Sequence, residues 1–173
     1  MKNKNGTYTV KNESGTVTLY VDTLSQDIVD IDVAPGETCV KFETERINTR
    51  NSAYNTRVRL WNIFKQFPDV TTIEIGSGVY SIDINNETFP NVRHVISKNN
   101  NFVNGKSMLL SKVHNGLKLR NSFCLKENEV LDLSGVAVLD VYSLSGCMSD
   151  KIINEGKVNY IDKDAFVGSI FTL

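Results

Sequence analysis

Three cysteines, three prolines, two histidines and one tryptophan are all that 173 residues supply of those types. Cys39, Cys124 and Cys147 are far apart, odd in number and without CxxC spacing, so neither a disulfide framework nor a zinc site is signalled. They are expected as buried or half-buried thiols, because free cysteine behaves as a small hydrophobe. His94 and His114 have no carboxylate or cysteine at ligand spacing, which leaves them surface or turn roles. A Gly-rich phosphate loop, a nucleophile elbow and a zinc signature are all missing. Without an acid, base and nucleophile constellation no enzymatic activity is expected, and neither a cofactor nor a metal. Charge is equally uninformative: a net −1 and a pI near 6.1 generate no field toward nucleic acid or an anionic membrane. No apolar run approaches the roughly 18 residues of a membrane span, so no membrane insertion is expected. The opening "MKNKNGTYTV" lacks the apolar core of a signal peptide. That places the chain in the cytoplasm, or at the cell surface or outside it if an export signal was removed.

What the sequence does have is a period. "VAVLDVYSLSGC" (136–147) returns 22 residues later as "VNYIDKDAFVGS" (158–169), matching Val136 with Val158, Leu139 with Ile161, Asp140 with Asp162, Leu144 with Phe166 and Gly146 with Gly168. "FPDVTTI" at Phe67 and "FPNVRHV" at Phe89 share the offset, which places Val70 over Val92 and Ile73 over Val95. "IEIGSGVYSID" and "LDLSGVAVLD" each carry an alternating triplet, a glycine turn and a second apolar pair. A fixed period of roughly 20–29 residues marks a solenoid whose coils cannot bury their apolar faces alone.

Alternation predicts that Ile73, Ile75, Leu131 and Leu133 face a core while Glu74 and Asp132 face solvent. Gly78, Gly135 and Gly156 are expected in the turns, after which Val79 with Ile82, Val136 with Leu139 and Val158 with Ile161 point inward. Asp83, Asp140 and Asp162 then recur at one position. A metal or substrate ladder would use them so, but a cap on a short helical turn explains them more simply, since a carboxylate accepts from free N–H groups.

Residues 99–130 interrupt the array. Asn115-Gly116 reads as a two-residue hairpin turn in which both positions need positive φ. Phe102, Leu109, Leu117, Phe123 and Leu125 are the expected anchors of this insert. Residues 1–50 read as a β-rich N-terminal cap with Pro35-Gly36 as its clearest turn. "AYNTRVRLWNIFKQF" (53–67) has apolar residues at Leu60, Trp61, Phe64 and Phe67, a helical spacing that Pro68 ends. Arg46, Arg50, Arg57 and Arg59 beside Tyr54 and Trp61 form either a small basic-aromatic patch or, more simply, the solvated side of that helix. Sequons stand at Asn5, Asn12 and Asn86.

"LDLSGVAVLDVYSLSGC" and "KVNYIDKDAFVGS", with "IEIGSGVYSID" and "NETFPNV" more weakly, resemble the BspA-type leucine-rich repeat of bacterial and protist surface proteins. The resemblance covers roughly residues 57–173. It departs at the aspartate after the second strand, where that family usually has glycine, and at Phe-Pro in two coils. It implies an α/β solenoid, a right-handed leucine-rich-repeat superhelix of about four coils over 51–173, behind the β-rich cap. The implied role is non-enzymatic: adhesion, or the presentation of a repeat surface to a protein partner. The alternative is a scaffold or capping segment of a longer protein. Residues alternating outward on adjacent coils are the candidate binding face: Thr72, Glu74, Arg93, Asp132, Lys151 and Ile153. The terminal "SIFTL" leaves Ile170, Phe171 and Leu173 without a polar segment behind them. Self-association through this end, or further coils beyond it, is expected.

Overall fold

The computed structural model describes residues 7–11, 17–21, 25–27, 31, 33–44, 56–60 and 65–171. It is a β-solenoid of about four stacked coils, with almost no helix among the described residues. The strands are β1 (Thr7–Lys11), β2 (Val17–Val21), β3 (Ser25–Asp27), β4 (Cys39–Thr44), β5 (Thr56–Leu60), β6 (Thr72–Ile75), β7 (Val79–Ile84) and β8 (His94–Ser97). They continue with β9 (Phe102–Val103), β10 (Gly105–Lys106), β11 (Leu109–Val113), β12 (Gly116–Asn121), β13 (Val130–Asp132), β14 (Val136–Leu139), β15 (Lys151–Ile153) and β16 (Tyr160–Ile161).

Successive coils place one strand on each of two faces. On the first face β2, β4, β6 and β8 run parallel, with β1 antiparallel at one edge and β10 antiparallel at the other. On the second, β3, β5 and β7 run parallel. From β12 onward the pattern resumes, β13 pairing with β15, β12 with β14 and β14 with β16, again in parallel. Strands from the segment expected as a cap therefore share a ladder with strands of the array.

The repeat period is realised atom by atom. Ile73 lies opposite Val95 and Leu139 opposite Ile161. The turns entering β6 and β8 are the same turn, Val70 N–H donating to Phe67 C=O (3.2 Å) and Val92 N–H to Phe89 C=O (3.3 Å). Ala34–Glu37 makes it once more, Glu37 N–H donating to Ala34 C=O at 3.2 Å. In the second stack the turn 141–146 lies on 163–168, with Tyr142, Leu144 and Gly146 N–H donating to Asp164, Ala165 and Gly168 C=O. Gly146 and Gly168 take φ of +70° and +77°, a conformation that favours glycine.

Inward alternation produces two cores. The first gathers Val40, Phe42, Val70, Ile73, Ile75, Val79, Ile82, Phe89, Val92 and Val95, with Phe102, Leu109 and Phe123 from the insert. The second gathers Met108, Leu110, Leu119, Leu125, Leu131, Leu133, Val136, Leu139 and Leu144. Fully burying one such side chain is worth about 1.5–3 kcal/mol, so each rung is held mainly by its neighbours. Phe166, the counterpart of Leu144, is half-buried because it lies in the last turn; Phe171 packs on it edge to face at 5.9 Å.

Several expectations change. There is no α-helix among the described residues, only a 3-10 turn at Glu155–Lys157. The expected helix over 53–67 contains β5, in which Val58 pairs opposite Ile82 and Leu60 opposite Ile84. "TRVRL" also alternates at period two, and two flanking parallel strands reward that period over the helical one. Trp61, Phe64, Tyr54, Arg46 and Arg50 lie outside the described residues. The three expected turn glycines do lie in turns, Gly78 and Gly135 just before β7 and β14 and Gly156 in the 3-10 turn, and Gly135 takes a positive φ of +74°. The hairpin β11–β12 forms, but its two-residue loop is His114-Asn115: Val113 pairs with Gly116, and of these turn residues only Gly116 has positive φ, +144°.

The recurring aspartates divide. Asp162 does cap its turn, accepting from Asp164 N–H at 3.0 Å. Asp140 and Asp83 instead receive Arg120, whose Nη1 lies 2.9 Å and 3.5 Å from them, and Asp140 also faces Lys118 at 3.5 Å. Asparagine caps after β7 and β12 instead: Asn85 Oδ1 accepts from Glu87 N–H (3.0 Å) and Asn121 Oδ1 from Phe123 N–H (2.7 Å).

Candidate functional site

The outward positions of the first face are set by strand alternation. Thr72 and Glu74 point out from β6, both half-buried, and Glu74 faces Lys98 at 3.7 Å. The counterparts on β8 are His94 and Ile96, because Thr72 pairs with His94 and Glu74 with Ile96. Arg93 therefore lies one residue before the strand and off the candidate face. Its guanidinium is consumed internally: Nε and Nη2 donate to both Glu129 oxygens (2.5 and 2.8 Å) and Nη1 to Val92 C=O (2.7 Å). Nη1 also approaches the carbonyls of Pro90 (3.3 Å) and Phe123 (3.4 Å).

Arg93 marks a break in the stack. On the first face no ladder joins β8 and β10 to β13 and β15. The two stacks are joined instead by side chains. Besides the Arg93–Glu129 pair, Asn121 Nδ2 donates to Ile84 C=O (2.8 Å), and Asn86 Nδ2 to the carbonyls of Tyr142 (3.2 Å) and Ser145 (2.5 Å). Asn86 is 5% exposed and its amide is engaged, so the sequon there is closed to modification in the folded chain.

A groove of about 750 Å³ opens at this break. One wall is β10 with its following turn, the other is β13, and Met108, Leu110, Leu117 and Leu125 form an apolar floor. Asp132 and Ile153 line it, so two expected face residues meet there, with Lys151 beside them on β15 opposite Val130. Thr72 and Glu74 belong to the separate sheet beyond β8. The Asp132 carboxylate accepts from Asn154 Nδ2 (2.8 Å), Ser134 Oγ (2.7 Å) and Ser134 N–H (3.0 Å). These bonds, Asn154 first, hold its pKa below the usual carboxylate range.

The groove was not legible beforehand, because its floor comes from the insert, whose apolar residues read only as anchors. A second cleft of about 420 Å³ lies on the other side, around Arg120, Asp83 and Lys118. Arg120 is held there by Ser111 Oγ (3.1 Å) as well as by both aspartates, so its charge is matched inside the fold. Cys39, Cys124 and Cys147 are free thiols, the first two half-buried and the third buried. Burial first, then the charges of Glu87 and Cys147, push the Cys124 thiol up to about 11 against the opposing effect of Arg93. No helix among the described residues is long and apolar enough to cross a membrane.

No family model and no curated protein matches the chain.

Proposed function

We propose that the chain is a non-enzymatic protein-interaction module, of the adhesion type that the BspA-like motifs imply, presenting its first face to a protein partner. The observation that carries this reading is the groove at the break, where Asp132, Ile153 and an apolar floor meet on an otherwise regular surface. Concave repeat surfaces bind through extended complementarity with a few buried anchors. The right-handed leucine-rich-repeat superhelix belongs to the same proposal and rests on the motifs of residues 57–173.

A photo-crosslinking amino acid at Lys151, beside the groove, tests the reading against one at Lys163, on a terminal turn. Both positions are exposed. A partner captured from source cells at Lys151 and not at Lys163 is the expected result. Equal or absent capture at both would refute it.

A second reading, self-association through the C-terminal coil, draws on a different observation. Beyond β15 and β16 no further strand pairs among the described residues, and Tyr160, Ile161, Val167 and Ile170 are exposed there. An open end with apolar side chains and unpaired strand edges favours association. Self-association through this end predicts a scattering mass that rises with concentration in the wild type but not in Ile161→Lys. A concentration-independent wild type would remove this alternative contact.

A further inference from the structure

We infer that the groove between β10 and β13 takes an extended peptide strand from a protein partner, which completes the interrupted sheet. This rests on the protein-interaction reading above and names the chemistry of its partner. Hydrogen-bond alternation in the two bordering strands carries it. Ser107 N–H donates to Arg93 C=O (3.0 Å), so the antiparallel pairing of Gly105 with Val95 uses the main chain of Gly105 toward β8. Lys106 N–H and C=O then point away from β8, to the groove side.

The opposite wall follows the same logic. Leu133 N–H donates to Ile153 C=O (2.9 Å), so in the parallel β13–β15 pair residues 131 and 133 bond toward β15. The N–H and C=O groups of Val130 and Asp132 consequently point to the other edge, again into the groove. Two strand edges thus face one cavity, and neither finds a ladder partner there among the described residues. An edge of this kind is a template for a further strand.

Side-chain chemistry defines the guest further. A strand in the groove alternates, one set of side chains resting on Met108, Leu110, Leu117 and Leu125 and the other facing solvent between Lys106 and Asp132. The occupant is therefore a segment with apolar residues at every second position and polar residues between them. Both charge signs are present at the rim, so the polar set carries no fixed sign. Glu129, which the Arg93 guanidinium holds, lines the groove at the start of the β13 wall.

The test selects random linear peptides displayed on phage against the full chain, then synthesises the enriched sequences. Alternating apolar residues are expected in them. N-methylation of either alternate set of peptide nitrogens should weaken binding about tenfold or more, since a strand between two edges donates to both sides. Lys106→Pro, which removes one groove-facing N–H, should weaken the same peptides. Affinity unchanged by N-methylation, or loss from one set only, would overturn insertion between the edges. No enrichment would overturn it as well. If crosslinking at Lys151 still captures a partner in that case, only strand addition is wrong; if neither succeeds, the interaction reading falls too.

Discussion

Replacing Arg93 by methionine removes the charged link between the two stacks while keeping an unbranched side chain. The side chains of Arg93 and Glu129 are 21% and 27% exposed, so the pair lies between an open surface bridge and a buried one. Surface pairs contribute about 0–1 kcal/mol, and breaking a buried pair costs about 3–5 kcal/mol. An intermediate cost of about 2 kcal/mol is expected, including the donors lost by the carbonyls of Val92, Pro90 and Phe123. For a chain of this length that corresponds to a fall in melting temperature of about 4–8 °C. The location matters as much as the size. The pair spans the boundary between the two cores, so its loss should uncouple them, and calorimetry should resolve two transitions where the wild type shows one. Glu129→Gln and the double variant complete a cycle that isolates the pair. A variant with one transition, melting within about 1 °C of the wild type, would refute the role given to Arg93.

Three further outcomes can be measured directly. Asn86→Ala strands two carbonyls at the same boundary and should cost about 1–3 kcal/mol in chemical denaturation, whereas a surface-like value near zero would contradict its burial. A Cβ at Gly105 would lie 2.1 Å from the Met108 carbonyl oxygen, so Gly105→Ala should release β10 and speed amide exchange in β8; unchanged exchange would disprove the close approach. The raised Cys124 pKa means that the folded state holds this proton more tightly than the unfolded one. Its contribution is complete below the unfolded value near 8.5 and declines as pH rises toward about 11, so Cys124→Ala should flatten the stability loss across that window.

Much of the solenoid was legible because its repeat rests on side chains that touch their own counterparts. Val70, Val92, Ile73 and Val95 recur in sequence since each must fill the same position in successive rungs. Pro35-Gly36 is legible as a turn, but its equivalence to the Phe67–Val70 turn is not, because that equivalence rests on backbone bonds and Ala34 and Glu37 do not resemble Phe67 and Val70. The helix expected over 53–67 failed for a related reason. Leu60 and Phe67 satisfy a helical spacing, but the flanking parallel strands, distant in sequence, decide the backbone. Arg93 stands among the expected face residues although the 22-residue offset already sets His94 over Thr72, as the strand pairing does. The groove depends on which edge of β10 and of β13 is already paired, a property of long-range topology that no local pattern records.

The common offset also limits how a gene for this chain can change length. Ile73 and Val95 stand 22 residues apart in the first stack, as do Leu139 and Ile161 in the second. Each rung bonds only to the rungs beside it. Duplicating or deleting the 22 codons that separate β6 from β8, or β14 from β16, would therefore add or remove a rung and return every downstream side chain to its own face. One codon more or fewer inside a strand would turn core residues outward. Length variants of this protein should accordingly differ in whole rungs, and their surfaces should shorten or extend without changing character.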